Sequence, residues 1–120
     1  MGIYKAGKPF AMLQQEASEN YASGSTKLLI HSDTIDSSTD FVDSSISNHT
    51  ITANGDARHS TTQAKFGPTS MYFDGTGDYL SISDHADWDW GTGDFTVDFW
   101  AKADVANTNL AWISRANTST

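Results

Sequence analysis

The sequence predicts an antiparallel all-β sandwich, and three observations carry that expectation. The stretch over residues 66–102, FGPTSMYFDGTGDYLSISDHADWDWGTGDFTVDFWAK, falls into short runs cut by turns rich in Gly and Asp. Within it Phe95, Val97 and Phe99 alternate with Thr96, Asp98 and Trp100, the period-two pattern of a strand with two unlike faces. Helical periodicity is missing throughout this region, which leaves strands joined by turns as the architecture.

The elements follow in order. Residues 27–31 are a mostly apolar run that reads as a first strand, followed by a polar loop over 33–40. Residues 41–43 form a short strand or turn, and 49–53 a strand stopped by Asn54-Gly55, a dipeptide that favours positive φ and a tight turn. Residues 57–64 are expected to pair beyond that turn. After the break at Lys65-Phe66-Gly67-Pro68, the clearest strands are 70–73, 79–83 and 95–102, with 110–115 as a last one.

Residues 1–25 stand apart from this pattern. Phe10, Leu13, Ala17 and Tyr21 recur at three- and four-residue steps, compatible with one amphipathic helix after Pro9. Gly2, Gly7 and Ala22-Ser23-Gly24-Ser25 equally suit an extended or disordered arm. The apolar side chains Ile3, Tyr4, Phe10, Met12 and Leu13 give such an arm something to bury against another protein, so it is expected to be an assembly anchor. The division is then an arm over 1–25 and a β-domain over 26–120.

At 120 residues the chain holds at most one small domain. Its formal charge of −8 argues against nucleic-acid binding, which needs a basic surface to neutralise phosphates. There is no cysteine, hence no disulfide framework and no thiolate metal site. No apolar run is long enough to span a membrane. The N-terminus lacks the apolar core and small-residue cleavage site of a secretory signal.

Catalysis is hard to assemble from these residues. The two glutamates, Glu16 and Glu19, both fall in the N-terminal arm, whereas a glycosidase needs two carboxyls facing across a cleft. His31, His49, His59 and His85 are scattered and form no spaced ligand pair, and no Gly-x-Ser-x-Gly elbow or phosphate loop occurs. The chain is expected not to be an enzyme and to require no cofactor.

Two loops carry candidate binding chemistry. Asp74 and Asp78 flank Gly75-Thr76-Gly77, and carboxylates in such a turn can supply oxygen ligands to calcium, although the spacing is not that of an EF-hand. The same aspartates serve equally as turn caps. Trp88 and Trp90 lie two apart beside Asp87 and Asp89, so an extended backbone would aim both indoles to one side, where they could stack on a sugar while the carboxylates accept from its hydroxyls. Against that, either indole can pack into the sandwich, as Trp100 and Trp112 on strands are expected to do.

Taken in order, 26–31, 41–45, 49–53, 65–67, 72–75, 77–80 and 91–100 resemble the concanavalin A-like or laminin-G-like jelly-roll domains of bacterial surface proteins and phage structural proteins. The resemblance implies a jelly-roll sandwich. It also implies more strands beyond the segment matching 110–115, so the C-terminal half would belong to a longer chain or come from another one. The family spans lectins, adhesins and structural modules, so fold alone does not decide function. With an initiator Met, no export signal and a polar acidic β-domain, the leading expectation is a virion structural or adhesion protein of a phage tail, fibre or capsid decoration. It would contact other virion proteins through residues 1–25, form a homo-oligomer and work in the virion or outside the cell. The second expectation is a lectin-like carbohydrate-binding module for cell-surface glycans, with calcium as a possible ligand.

Overall fold

The computed structural model describes residues 24–104 and 111–115. The anchor residues Ile3, Tyr4, Phe10, Met12 and Leu13, and the helix expected over 10–21, lie outside the described residues.

Four short strands form two antiparallel pairs: β1 (Ile51–Asn54) with β4 (Tyr79–Ile82), and β2 (Arg58–Ser60) with β3 (Ser70–Tyr72). The pairs are nested, β2 and β3 lying between β1 and β4 in sequence. In β1 and β4 the register sets Ile51 against Ile82 and Ala53 against Leu80, which puts the apolar residues of both strands on one face. In the second pair Arg58 lies opposite Tyr72, its guanidinium 4.6 Å from the ring centre.

Between the two ladders, residues 55–57 on one side face residues 73–78 on the other. Asn54-Gly55 therefore marks a break within a long hairpin rather than the tight chain reversal expected there, and of the expected pairing segment 57–64 only Arg58–Ser60 is a strand, paired with β3. Gly55 has φ +72°, the positive φ its sequence suggested, and an added Cβ would lie 2.3 Å from Asp78 Oδ1 and 2.8 Å from Gly77 O.

Isolated bridges widen the β1 side. Thr50 meets Val42, and Asp43 meets Ile30, so the segments at 30, 42–43 and 50 lie side by side. On β2, His59 N donates to Ser38 O and Ser37 N donates to His59 O. The strand expected over 27–31 is thus reduced to a single bridge.

The interior among the described residues is small and mostly polar. Phe41 and Ala57 are its buried apolar residues, joined by Asp43, Ser45, His59 and Thr69. Phe41, Asp43 and Ser45 are buried while Val42, Ser44 and Ile46 are exposed, a period-two inward face. His59 stacks on Phe41 with centroids 4.3 Å apart. Its Nε2 donates to Asp40 O (3.1 Å), because a carbonyl only accepts, and its Nδ1 faces Ser32 Oγ at 2.5 Å. Thr69 Oγ1 donates to Ser32 O (2.5 Å). No buried side-chain nitrogen or oxygen among the described residues lacks a partner.

The strand expected over 95–102 is not formed. Residues 95–100 pair with no other segment among those described, and every one of them is exposed. Their alternation survives in the ring contacts: Phe95 stacks on Trp90 (4.1 Å), Phe99 lies 6.2 Å from Trp112, and Trp100, one step on, meets Phe66 edge-on at 6.1 Å. Trp100 and Trp112, expected to pack within strands, remain 70% and 54% exposed. Residues 111–115 likewise form no strand. What stands is a small strand-rich protein with two antiparallel sheets; among the described residues no helix is long and apolar enough to cross a membrane.

Candidate functional site

The β1–β4 ladder has two ends, and each gathers a polar cluster from residues distant in sequence. At one end β1 begins at Ile51 opposite Ile82, the last residue of β4. His49, just before β1, and His85 and Asp87, just after β4, must therefore converge.

Asp87 is the hub of this end. Its Oδ2 accepts from Ser47 Oγ (2.6 Å) and His49 Nε2 (3.1 Å) and lies 3.4 Å from His85 Nδ1. Its Oδ1 is 3.4 Å from Lys27 Nζ. The Ser47 hydroxyl, opposed by desolvation and aided by Lys27 and His49, holds the carboxyl below the usual range. Residues Ala86–Trp88 form a 3-10 turn, capped by His85, whose Nδ1 accepts from Asp87 N (3.1 Å). His49 is ringed by aromatic contacts, with His85 at 4.8 Å and Trp88 at 4.7 Å. Its side chain is almost buried, whereas that of His85 is half exposed.

That turn alters the expected sugar platform. The backbone over 86–88 is not extended, and the two indoles take separate partners. Trp88 packs on His49 and donates Nε1–H to Ser83 O (3.1 Å). Trp90, 38% exposed, stacks on Phe95. Asp87 is engaged as described, and Asp89 Oδ1 accepts from Arg115 Nη2 (2.7 Å). The four residues are brought into one neighbourhood, with Trp90 and Phe95 as its open aromatic pair.

At the other end, Asp56 follows β1 and Asp78 precedes β4, so they meet with Asp74 between them. Asp78 serves the backbone: Oδ1 accepts from Asp56 N (2.8 Å) and Oδ2 from Asp74 N (2.7 Å). Asp74 Oδ1 accepts from Thr76 N (2.6 Å), closing an Asx turn. The Asp74 amide, opposed by desolvation and helped by the Asp56 amide, holds Asp78 low. Asp56 is pushed up, first by a side-chain hydrogen bond with Asp78 and then by the charges of Asp78 and Asp74. This turn unites Asp74 and Asp78 as expected and adds Asp56, which was not read as part of it.

Asp43 forms a third, buried cluster. Its Oδ1 accepts from Leu29 N (3.0 Å) and Ser45 N (2.9 Å), its Oδ2 from Ser45 Oγ (2.9 Å) and His49 N (2.8 Å). Burial pushes its pKa up, but the amides of Leu29, Ser45 and His49 and the Ser45 hydroxyl more than offset this, and the net shift is downward. Asp43 thereby fixes the backbone from which Ser47 and His49 reach Asp87.

The histidine–aspartate cluster had no local sequence signal, since His49 and Asp87 are 38 positions apart. Only the β1–β4 register brings them together. No protein-family model, curated protein or solved structure matches the chain.

Proposed function

We propose that this chain is a non-enzymatic structural or adhesion module of a virus particle, of the phage tail, fibre or capsid-decoration type. It displays a sandwich of the concanavalin A-like jelly-roll kind, whose aromatic face is covered in the assembly. The observation that carries the reading is the exposed aromatic surface of Phe95, Phe99, Trp100 and Trp112 on a frame whose buried apolar residues, among those described, are Phe41 and Ala57. Burying one large apolar side chain contributes about 1.5–3 kcal/mol. Such a surface on a small domain is stabilised chiefly by what covers it. The particle itself is suggested by the resemblance of segments between 26 and 100 to jelly-roll domains of bacterial surface and phage structural proteins, and by the apolar residues of the N-terminal arm.

The experiment is intact-mass and peptide mapping of the native source material, together with imaging of the assembly that carries the chain. The reading predicts this polypeptide at fixed stoichiometry in a symmetric particle. Recovery only as a free monomer would overturn it.

Trp90 favours a second reading, a lectin-like module: its half-open indole, stacked on Phe95 beside acidic side chains, is a surface on which a sugar ring could lie. A glycan array on the folded chain in calcium-containing buffer separates the two, because absence of binding there removes the lectin reading.

A further inference from the structure

Two segments meet at the His49 end of the ladder: His49 before β1, and His85 with Asp87 in and beside the 3-10 turn after β4, brought together by strand register. We propose that His49, His85 and Asp87 form a site for a divalent transition-metal ion of the zinc class. The ligand atoms of the three lie within 4.8 Å of one another. Two of their separations are 3.1 Å (His49 Nε2 to Asp87 Oδ2) and 3.4 Å (His85 Nδ1 to Asp87 Oδ2). Bonds of about 2.0–2.1 Å in a tetrahedral shell put neighbouring ligands roughly 3.3–3.4 Å apart, so the His85–Asp87 edge already has that length and the shorter His49–Asp87 edge needs only a small opening.

The donor set decides the class of ion. Two imidazole nitrogens and one carboxylate oxygen suit zinc and its neighbours, whereas calcium wants six to eight oxygens. Access and support are both present. The half-exposed His85 leaves a fourth position open to water. The nearly buried His49 is oriented by Trp88 and by the Asp43 hydrogen bond to its amide. To bind, His49 would take the Nδ1–H tautomer, its Nε2 proton passing to water while Nδ1 takes one from water, and His85 Nδ1 would turn its lone pair from the Asp87 amide to the metal. Lys27 beside Asp87 Oδ1 opposes an added cation, which sets the affinity below that of a closed structural site. The acidic turn at the other end of the ladder differs, because Asp78 and Asp74 spend their oxygens on backbone amides.

The test is titration of the full chain, stripped with chelator, with Zn²⁺ alone by isothermal calorimetry, alongside thermal unfolding with and without the ion. One Zn²⁺ per chain and a raised unfolding temperature are expected, with no competition from Ca²⁺. His85→Gln, at the half-exposed position, is expected to weaken binding by about tenfold or more while leaving the circular dichroism unchanged. Lys27→Met is expected to tighten it. His49→Gln should behave as His85→Gln does; should that variant not fold, His85→Gln and Lys27→Met decide the matter. Absence of saturable Zn²⁺ binding, or binding untouched by His85→Gln and Lys27→Met, overturns the proposal.

Discussion

Asp43 is 3% exposed, yet its two oxygens take four hydrogen bonds, three of them from backbone amides on either side of a single bridge. A buried carboxylate survives only where such donors replace water. Asp43→Ala would leave the amides of Leu29, Ser45 and His49 without an acceptor and is expected to destabilise the fold by about 3 kcal/mol, read by urea unfolding. The pH dependence has a definite sign. The folded pKa lies below the unfolded value of about 3.9, so the carboxylate contributes stability fully above that value. That contribution is lost as pH falls through the folded pKa. Unfolding midpoints measured from pH 6 down to pH 2 should fall on this acid limb for the wild type and more gently for Asp43→Ala. An equally steep acid limb in the variant would show that Asp43 is not the group responsible.

At the scale of the elements, pairing rather than pattern decides what becomes a strand. Ile51, Ala53, Leu80 and Ile82 find each other across the β1–β4 ladder, while 95–100 has equal or better alternation and no partner among the described residues. Ile82→Ala, at a half-buried ladder position, is therefore expected to cost about 1–2 kcal/mol, the lower end for a core truncation. Val97→Pro removes no ladder bond in the isolated chain and is expected to change stability there by about 0.5 kcal/mol or less. Denaturant titration of the two variants checks the contrast, and a large loss from Val97→Pro would mean that 95–100 already pairs within the chain. The same distinction explains what could be read from the residues alone. The strands at 51–54, 70–72 and 79–82 were legible because β-branched and aromatic runs end at Gly- and Asp-rich turns. The state of 95–100 was not, since alternation reports two unlike faces but says nothing of whether a neighbour exists to supply hydrogen bonds. Asp74 and Asp78 were legible as one turn by their spacing. The meeting of His49 with His85 and Asp87 was not, because it follows from register, and register is written jointly by two distant segments.

At the largest scale, the described residues combine a polar interior with an apolar exterior, and this imbalance governs behaviour. The interior is held by directed bonds around His59, Thr69 and Asp43, each worth only about 1 kcal/mol net. Among the described residues the larger reservoir of apolar burial remains on the surface, in Phe66, Phe95, Phe99, Trp100 and Trp112. Lys65 partly screens this surface by lying 4.7 Å from the Trp100 ring, and Arg115 ties the last described segment to Asp89. Both contacts are exposed and contribute little. Repulsion between chains of net charge −8 opposes association through this face, so assembly should strengthen as salt screens that repulsion. In the proposed assembly another protein surface covers residues 95–100 and Trp112. The most direct measurement is hydroxyl-radical footprinting of the tryptophans and phenylalanines in the native assembly and in the isolated chain, read by mass spectrometry. Phe95, Phe99, Trp100 and Trp112 are expected to be strongly labelled in the isolated chain and protected in the assembly, while the already buried Phe41 is protected in both. Equal labelling of Trp100 and Trp112 in the two states would contradict that expectation.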